Sequence, residues 1–288
     1  MQMTTEVTIE KISNKITLLK EQLKSNFDNT LTQIINLQNE LHGFHNIINN
    51  DNILKQQSLL PVDLSHNNLK KQNVTIILTS TVNVHKHKQF IYQRNKNDRL
   101  AIYLKSIKQW LEKTNFHIVL VENSDYPFPE LSELLSLYKN RFEIISFNEK
   151  TLNNNGLLTC DSKGISEMYA INYAYNNSKL IQNSIFIIKV TARYFIPELE
   201  DYLSEFDLTQ YDILTQYYKR CEMVGCNSNI FNIIFDKKTY SNGKSIYEPH
   251  VENVYHYRYT FYDRKIPPKL FKIEKTQRGG DNVPFINI

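Results

Sequence analysis

Glycine and proline are scarce, with 7 and 8 copies in 288 residues, while lysine and asparagine abound. That bias suits an AT-rich genome and carries little chemical information. Cysteine is scarcer still. Cys160, Cys221 and Cys226 lack metal-ligand spacing and are too few for a disulfide framework, which fits a reducing compartment and a cytoplasmic location. No apolar run approaches the length needed to cross a bilayer, and no hydrophobic signal core opens the chain. A strong excess of one charge is also missing: a net +4, dispersed along the chain, argues against nucleic acid as the main partner. Several catalytic fingerprints are absent. No G-x-G-x-x-G follows the first apolar run, no G-x-x-x-x-G-K-[ST] occurs, and neither a G-x-S-x-G elbow nor a His-Glu-x-x-His zinc signature is present.

What is present divides into an arm and a domain. A hydrophobic fraction of 41% supports a sizeable core, and tyrosine, with 18 copies, dominates the aromatics. In the arm, Ile9, Ile12, Ile16, Leu19 and Leu23, then Ile34, Leu37, Leu41, Phe44 and Ile48, step by threes and fours. This heptad pattern, with a stutter at Phe27 and Leu31, predicts one long coiled-coil helix. Its stripe is too narrow for a lone helix to bury, so homo-oligomerisation through residues 4–50 is expected in preference to packing back on the globular domain. Residues 1–55 read as the arm, 56–73 as a linker and 74–288 as the globular domain.

Within the domain, Val74–Ser80 reads as a buried strand and Thr81 to Asn97 as a long basic loop with His85, Lys86, His87 and Lys88. A helix capped by Asp98 follows, with Tyr103, Ile107 and Trp110 on one face. Further strands are expected at Phe116 to Val121 and Phe142 to Phe147, with a helix from about Glu130 to Tyr138 between them. Next come a helix from Ser162 to Asn177, a strand ending at Lys189, and a short helix started by Pro197. Strands at Tyr211 to Gln216 and Ile230 to Phe235 are expected to flank a loop holding Cys221, Gly225 and Cys226. From Tyr240 the pattern turns helical, and Glu252, Tyr255, His256 and Tyr259 share a face. Alternation of strands and helices predicts an α/β fold with a mostly parallel, Rossmann-like sheet.

Ligands of such sheets bind beyond the carboxyl ends of the strands. Thr79 and Ser80 end the first strand, Arg99 opens the helix after it, and Glu122, Asn123 and Ser124 follow the second strand. The latter three suit a base edge and ribose hydroxyls, or equally a hydrogen-bonded turn. Lys163 and Gly164 open a helix, where backbone N–H groups accept an anion or a simple cap suffices. Ser184 to Pro197 (SIFIIKVTARYFIP) is the focal stretch, because a strand buried on both faces ends there in Lys189, Thr191 and Arg193. Two cations at that end call for an anion. Glu252 and His250, with Glu248 and His256, form the densest acid/base cluster, for which tyrosine packing is the plainer reading. Arg278 and Asp281 flank Gly279-Gly280 as a mobile loop over a site would.

The phrases VENSDY, KGISEMYAI and IIKVTARYFI resemble little-characterised glycosyltransferases of bacterial surface polysaccharides and large DNA viruses, in which the last segment is similar to K-x-T-G-R-Y. The order of elements over residues 72–288 resembles the GT-A glycosyltransferase fold. That resemblance implies a nucleotide-sugar donor (UDP-, GDP- or dTDP-sugar) and a glycan or protein acceptor. It implies donor contacts from Thr79, Ser80, Arg99, Glu122, Asn123, Ser124, Lys163, Gly164, Lys189, Thr191, Arg193 and Arg278. An acceptor base is sought among Asp281, Glu252 and His250. Where GT-A enzymes carry Asp-x-Asp for Mg²⁺ or Mn²⁺, this chain has Lys189-Val190-Thr191-Ala192-Arg193. No metal ligand is therefore nominated, and the divalent ion is the less favoured option. The host cytoplasm or virion is the expected location for a viral chain. The competing reading is a non-catalytic, coiled-coil-tethered structural or binding protein with a degenerate GT-A domain.

Overall fold

The computed structural model describes residues 73–288, apart from 87, 89–90, 152–161, 219, 238–239, 242–243, 246–250 and 281, together with residues 15 and 22. Two compact units are distinguished, residues 1–64 and 65–288. In the first, Lys15 and Gln22 are helical and exposed; the coiled coil expected there otherwise lies outside the described residues, as does nearly all of the expected linker.

The second unit is built on a seven-stranded sheet of order β3-β2-β1-β4-β6-β5-β9. Its strands are β1 (Val74–Ser80), β2 (His117–Glu122), β3 (Phe142–Ser146), β4 (Phe186–Thr191), β5 (Ile213–Thr215), β6 (Met223–Asn227) and β9 (Lys265–Ile266). Between β6 and β9 lies a small ribbon of β7 (Tyr240–Ser241) and β8 (Lys244–Ser245). A hairpin of β10 (Lys272–Gln277) and β11 (Pro284–Asn287) ends the chain. Strands β1 to β4 pair in parallel, and only β6 runs against its sheet neighbours β4 and β5.

The central strands are buried on both faces, and their side chains alternate between two cores. Ile76, Leu78, Ile118, Leu120 and Ile188 point to one side, while Ile77, Val119, Val121 and Ile187 point to the other. This is the period of two expected of a pleated strand. Helix α1 (Lys96–Lys113) covers the first face, capped by Asn95, whose side chain accepts from Asn97 N and Asp98 N. It seats the fully buried Trp110, whose Nε1 donates to the carbonyl of Tyr194 at 2.9 Å. Helix α2 (Ser132–Leu137) lies between β2 and β3. The second face is covered by α3 (Lys163–Asn177) through Met168, Ile171 and Ala174. Four shorter helices follow: α4 (Lys179–Gln182), α5 (Leu199–Ser204), α6 (Phe231–Ile234) and α7 (Val251–Tyr259).

Three sequence expectations are corrected. Ile230 to Phe235 is not a strand: Asn227 caps a helical turn through Asn229 N, and α6 follows. The segment taken as a cysteine loop contains β6, with Gly225 and Cys226 inside the sheet. Glycine is required there, since a Cβ on Gly225 would lie 2.9 Å from Leu214 Cβ and 3.1 Å from Phe186 Cε1. Tyr240 begins a strand instead of a helix, and helical structure resumes at Val251.

Candidate functional site

Strands β1 and β4 end side by side, with Thr79 opposite Thr191, and β2 ends beside them, with Ser80 opposite Glu122. A cleft of about 210 Å³ opens over these carboxyl ends. Its lining brings together Thr79, Ser80, Arg99, Asn123, Ser124, Lys163, Gly164, Lys189, Thr191, Arg193, Glu252 and Arg278. Segments up to 199 residues apart in sequence thus meet in one place. His250 and Asp281 lie outside the described residues.

Glu122 is not part of that lining. Its carboxylate is wholly buried and accepts from the N–H groups of Val82 (2.9 Å), Ser124 (2.8 Å) and Tyr126 (2.8 Å), and from the Ser124 hydroxyl. Burial pushes its pKa up, against the opposing pull of those hydrogen bonds. The expected contact with base or ribose is corrected accordingly: Glu122 shapes the β1 and β2 loops from behind, and Asn123 and Ser124 hold the cleft side.

Lys189 is fully buried, and its charge is already committed. Its Nζ lies 2.9 Å from Glu167 Oε1 and donates to the carbonyl of Cys221 at 2.5 Å. The same Glu167 oxygen accepts from Thr79 Oγ1 at 2.7 Å and Thr191 Oγ1 at 3.4 Å. Burial alone depresses a lysine pKa, yet Glu167, Cys221 and Glu222 outweigh it and leave Lys189 above its ordinary value. The expectation that Lys189 is a spare cation for a ligand is therefore corrected. It ties β4 to α3 and to the segment before β6.

A second buried pair joins Lys88 to Glu149 at 2.9 Å. Ser166 bridges it, accepting from Lys88 Nζ at 2.6 Å and donating to Glu149 Oε1 at 2.7 Å. Asn123 Nδ2 donates to Glu149 Oε2 at 2.7 Å and its Oδ1 accepts from Thr81 at 2.6 Å. This network pins the loops after β1, β2 and β3 to the start of α3. At that start, Gly164 serves packing, because a Cβ would meet Val251 Cβ at 2.8 Å.

The arginines differ from the lysines. Arg99 and Arg193 are both more than nine-tenths buried, and neither has a carboxylate within ion-pair distance among the described residues. Arg99 donates to the carbonyls of Thr81 (2.7 Å) and Gln93 (2.9 Å) and to Tyr103 Oη (2.7 Å). Its pKa is pushed down by burial, and the nearby Arg193 charge adds to that effect. Arg193 donates to the carbonyl of Gln277 at 3.4 Å, beneath Gly279. Arg278 lies 3.9 Å from Glu222 Oε1. Two buried guanidiniums that repel one another and face a cleft leave a local excess of positive charge.

At Lys189-Val190-Thr191-Ala192-Arg193 stand a paired lysine and an arginine, and no group of three metal-ligating side chains occurs among the described residues. Glu149, Glu167 and Glu222 escaped the sequence reading. Glu167 follows Lys163 by one helical turn and was within reach of a pattern argument, but Glu222 carries no local signal.

No protein-family model matches the chain, and no curated protein matches it. Solved structures do. The chain is similar to a protein designated a nucleotide-diphospho-sugar transferase from Desulfovibrio desulfuricans G20, at 13% identity and TM-score 0.38, covering 68% of this chain and 80% of that one. It is similar to an active-site mutant of LgtC at 10% identity and TM-score 0.41, covering 66% and 71%. A third match, the glycosyltransferase GlyE of Streptococcus pneumoniae TIGR4, has 8% identity and TM-score 0.40, covering 67% and 44%.

Proposed function

We propose that the domain is a nucleotide-sugar-dependent glycosyltransferase acting on a glycan or protein acceptor. The observation that carries this reading is the pair Arg99 and Arg193, buried without carboxylate partners over the carboxyl ends of β1 and β4. A nucleoside diphosphate supplies the missing negative charge. Arginine grips phosphate oxygens bidentately, which suits a leaving diphosphate better than a lone ammonium does. The hydroxyls of Thr79, Ser80 and Ser124 lie on the same lining and suit the nucleoside.

In this reaction the acceptor hydroxyl oxygen forms a bond to the anomeric carbon, and the bond from that carbon to the β-phosphate oxygen breaks. The electron pair leaves with the diphosphate, whose growing charge Arg193 and Arg99 stabilise. A carboxylate or imidazole takes the acceptor proton. Glu252 stands in the lining, and His250 and Asp281 remain candidates for the same role; a well-placed base contributes about a hundred- to ten-thousand-fold. Transfer proceeds without a divalent ion in this scheme, with Arg193 taking the role that the resemblance gives to metal ligands. The arm of residues 4–50 assembles the chain into a homo-oligomer.

The test is a thermal-shift panel of UDP-, GDP- and dTDP-sugars, repeated with Arg193→Ala and in chelator. One nucleotide is expected to raise the melting temperature, the variant to lose that rise, and chelator to leave turnover intact. Activity lost in chelator and restored by Mn²⁺ overturns metal independence. No stabilisation by any member of the panel transfers the case to the non-catalytic reading.

A further inference from the structure

The cleft holds carboxylates as well as arginines, and two of them are only half used. Glu167 spends Oε1 on Lys189, Thr79 and Thr191, while Oε2 has no partner among the described residues. Glu222 directly precedes β6, the sheet neighbour of β4. Its backbone carbonyl accepts from Thr191 N at 2.9 Å, its Oε1 is 3.9 Å from Arg278, and its Oε2 is buried without any hydrogen-bond partner. Both glutamates line the cleft, and both bond to Thr191. A buried carboxylate oxygen without a donor is costly, so a site that keeps one is built for a ligand that brings the donor.

Glu149 sharpens the contrast. It lines the same cleft, yet both of its oxygens are engaged, by Lys88, Ser166 and Asn123. It is structural. Glu167 and Glu222 retain acceptor capacity beside the arginines. Cationic side chains suit the diphosphate; acceptor-only groups suit hydroxyls, which donate. The adjacency of the two sets matches a ligand that is anionic at one end and a neutral polyol at the other.

We infer that Glu167 Oε2 and Glu222 Oε2 receive hydroxyl groups of the transferred sugar, and that the donor carries a neutral hydroxylated hexose and not a uronic acid. This rests on the nucleotide-sugar reading above. A carboxylate on the sugar ring meets two glutamates and is repelled, whereas ring hydroxyls complete their bonds.

The experiment measures dissociation constants by calorimetry for UDP, GDP and dTDP. Each is compared with its neutral hexose derivative and its uronic acid derivative, on the full chain and on Glu222→Gln. Glutamine keeps the shape and replaces the orphan acceptor. Wild type is expected to bind the hexose derivative more tightly than the bare diphosphate, and about tenfold or more tighter than the uronate. In Glu222→Gln the gain from the sugar, taken as the ratio of hexose-derivative to bare-diphosphate affinity within each protein, falls by about ten- to a hundredfold. A diphosphate that binds, with a sugar gain that survives in the variant or a uronate bound as well as the hexose, overturns this inference and leaves the nucleotide reading standing. If no diphosphate binds at all, the nucleotide reading falls and this inference falls with it. Should Glu222→Gln melt well below wild type, the hexose-against-uronate comparison on wild type alone decides the matter.

Discussion

The contact between Gly279 and Arg193 allows the proposed anion site to be perturbed without touching a charged residue. A methyl group built on Gly279 lies 2.7 Å from Arg193 Nη2, 3.0 Å from Cζ and 3.1 Å from Nη1. Ordinary contact begins at 3.4 Å, so the nearest nitrogen has to withdraw by about 0.7 Å. Gly279 has no left-handed φ, so alanine meets no backbone strain there. The clashing atoms are the far end of a flexible side chain, which can yield cheaply. Gly279→Ala is therefore expected to change stability by no more than about 0.5 kcal/mol, a shift of roughly 1–2 °C for a domain of this size. A bidentate grip on phosphate tolerates displacement poorly, and an error on the order of 1 Å can cost as much as about a hundredfold. Affinity for the nucleoside diphosphate is expected to fall about tenfold or more, measured by calorimetry beside a melting curve. A well-folded Gly279→Ala protein that binds the diphosphate like wild type refutes the placement of Arg193 at the anion. A variant that melts many degrees lower refutes the argument that the guanidinium can yield.

Replacing Lys189 with methionine leaves Glu167 facing two hydroxyls and no cation; removing one partner of a buried pair costs about 3–5 kcal/mol, read as a lower midpoint in urea. Glu122→Gln sets an amide N–H₂ among three backbone donors and is expected to lose about 1–3 kcal/mol, checked by denaturation; an unchanged midpoint contradicts its role as loop clamp. Burial, with help from Arg141, holds the His117 pKa below its usual 6.5. Because the folded value lies beneath the unfolded one, the stability this contributes is complete above pH 6.5 and is lost as pH falls through the folded value. His117→Asn should flatten that stretch of the stability profile, and a profile identical to wild type removes His117 as its source.

The sheet could be read from composition where burial is two-sided. VTIILTS and FIIKVT are runs of β-branched residues, and they form adjacent parallel strands. The same cue misled at IFNIIF, since a short apolar run has no period long enough to separate strand from helix, and Asn227 settles the matter by capping. Strand β6 was hidden by Gly225, which weakens a strand pattern and whose reason for being there is the approach of Leu214 and Phe186. Arg193, Thr191 and Thr79, singled out by their position along the strands, line the cleft. What could not be read was which charges cancel. Glu167 neutralises Lys189 from 22 residues away and Glu149 neutralises Lys88 from 61, so the difference between a spent lysine and an available arginine exists only after folding.

The reversed direction of β6 has a consequence for how this cleft can change over time. Strands β5 and β6 form a hairpin, and its turn, residues 216–222, emerges at the same end as the carboxyl ends of β1 and β4. The register of the hairpin is held by Ile213 opposite Cys226 and Leu214 opposite Gly225, well below the turn. Loop tips of this kind accept added residues with little thermodynamic penalty. Cys221 and Glu222 are held to β4 through their carbonyls, so length can change only ahead of them, about the exposed Tyr217 and Tyr218. One part of the cleft's lining is thus free to change while Arg99 and Arg193 stay in place.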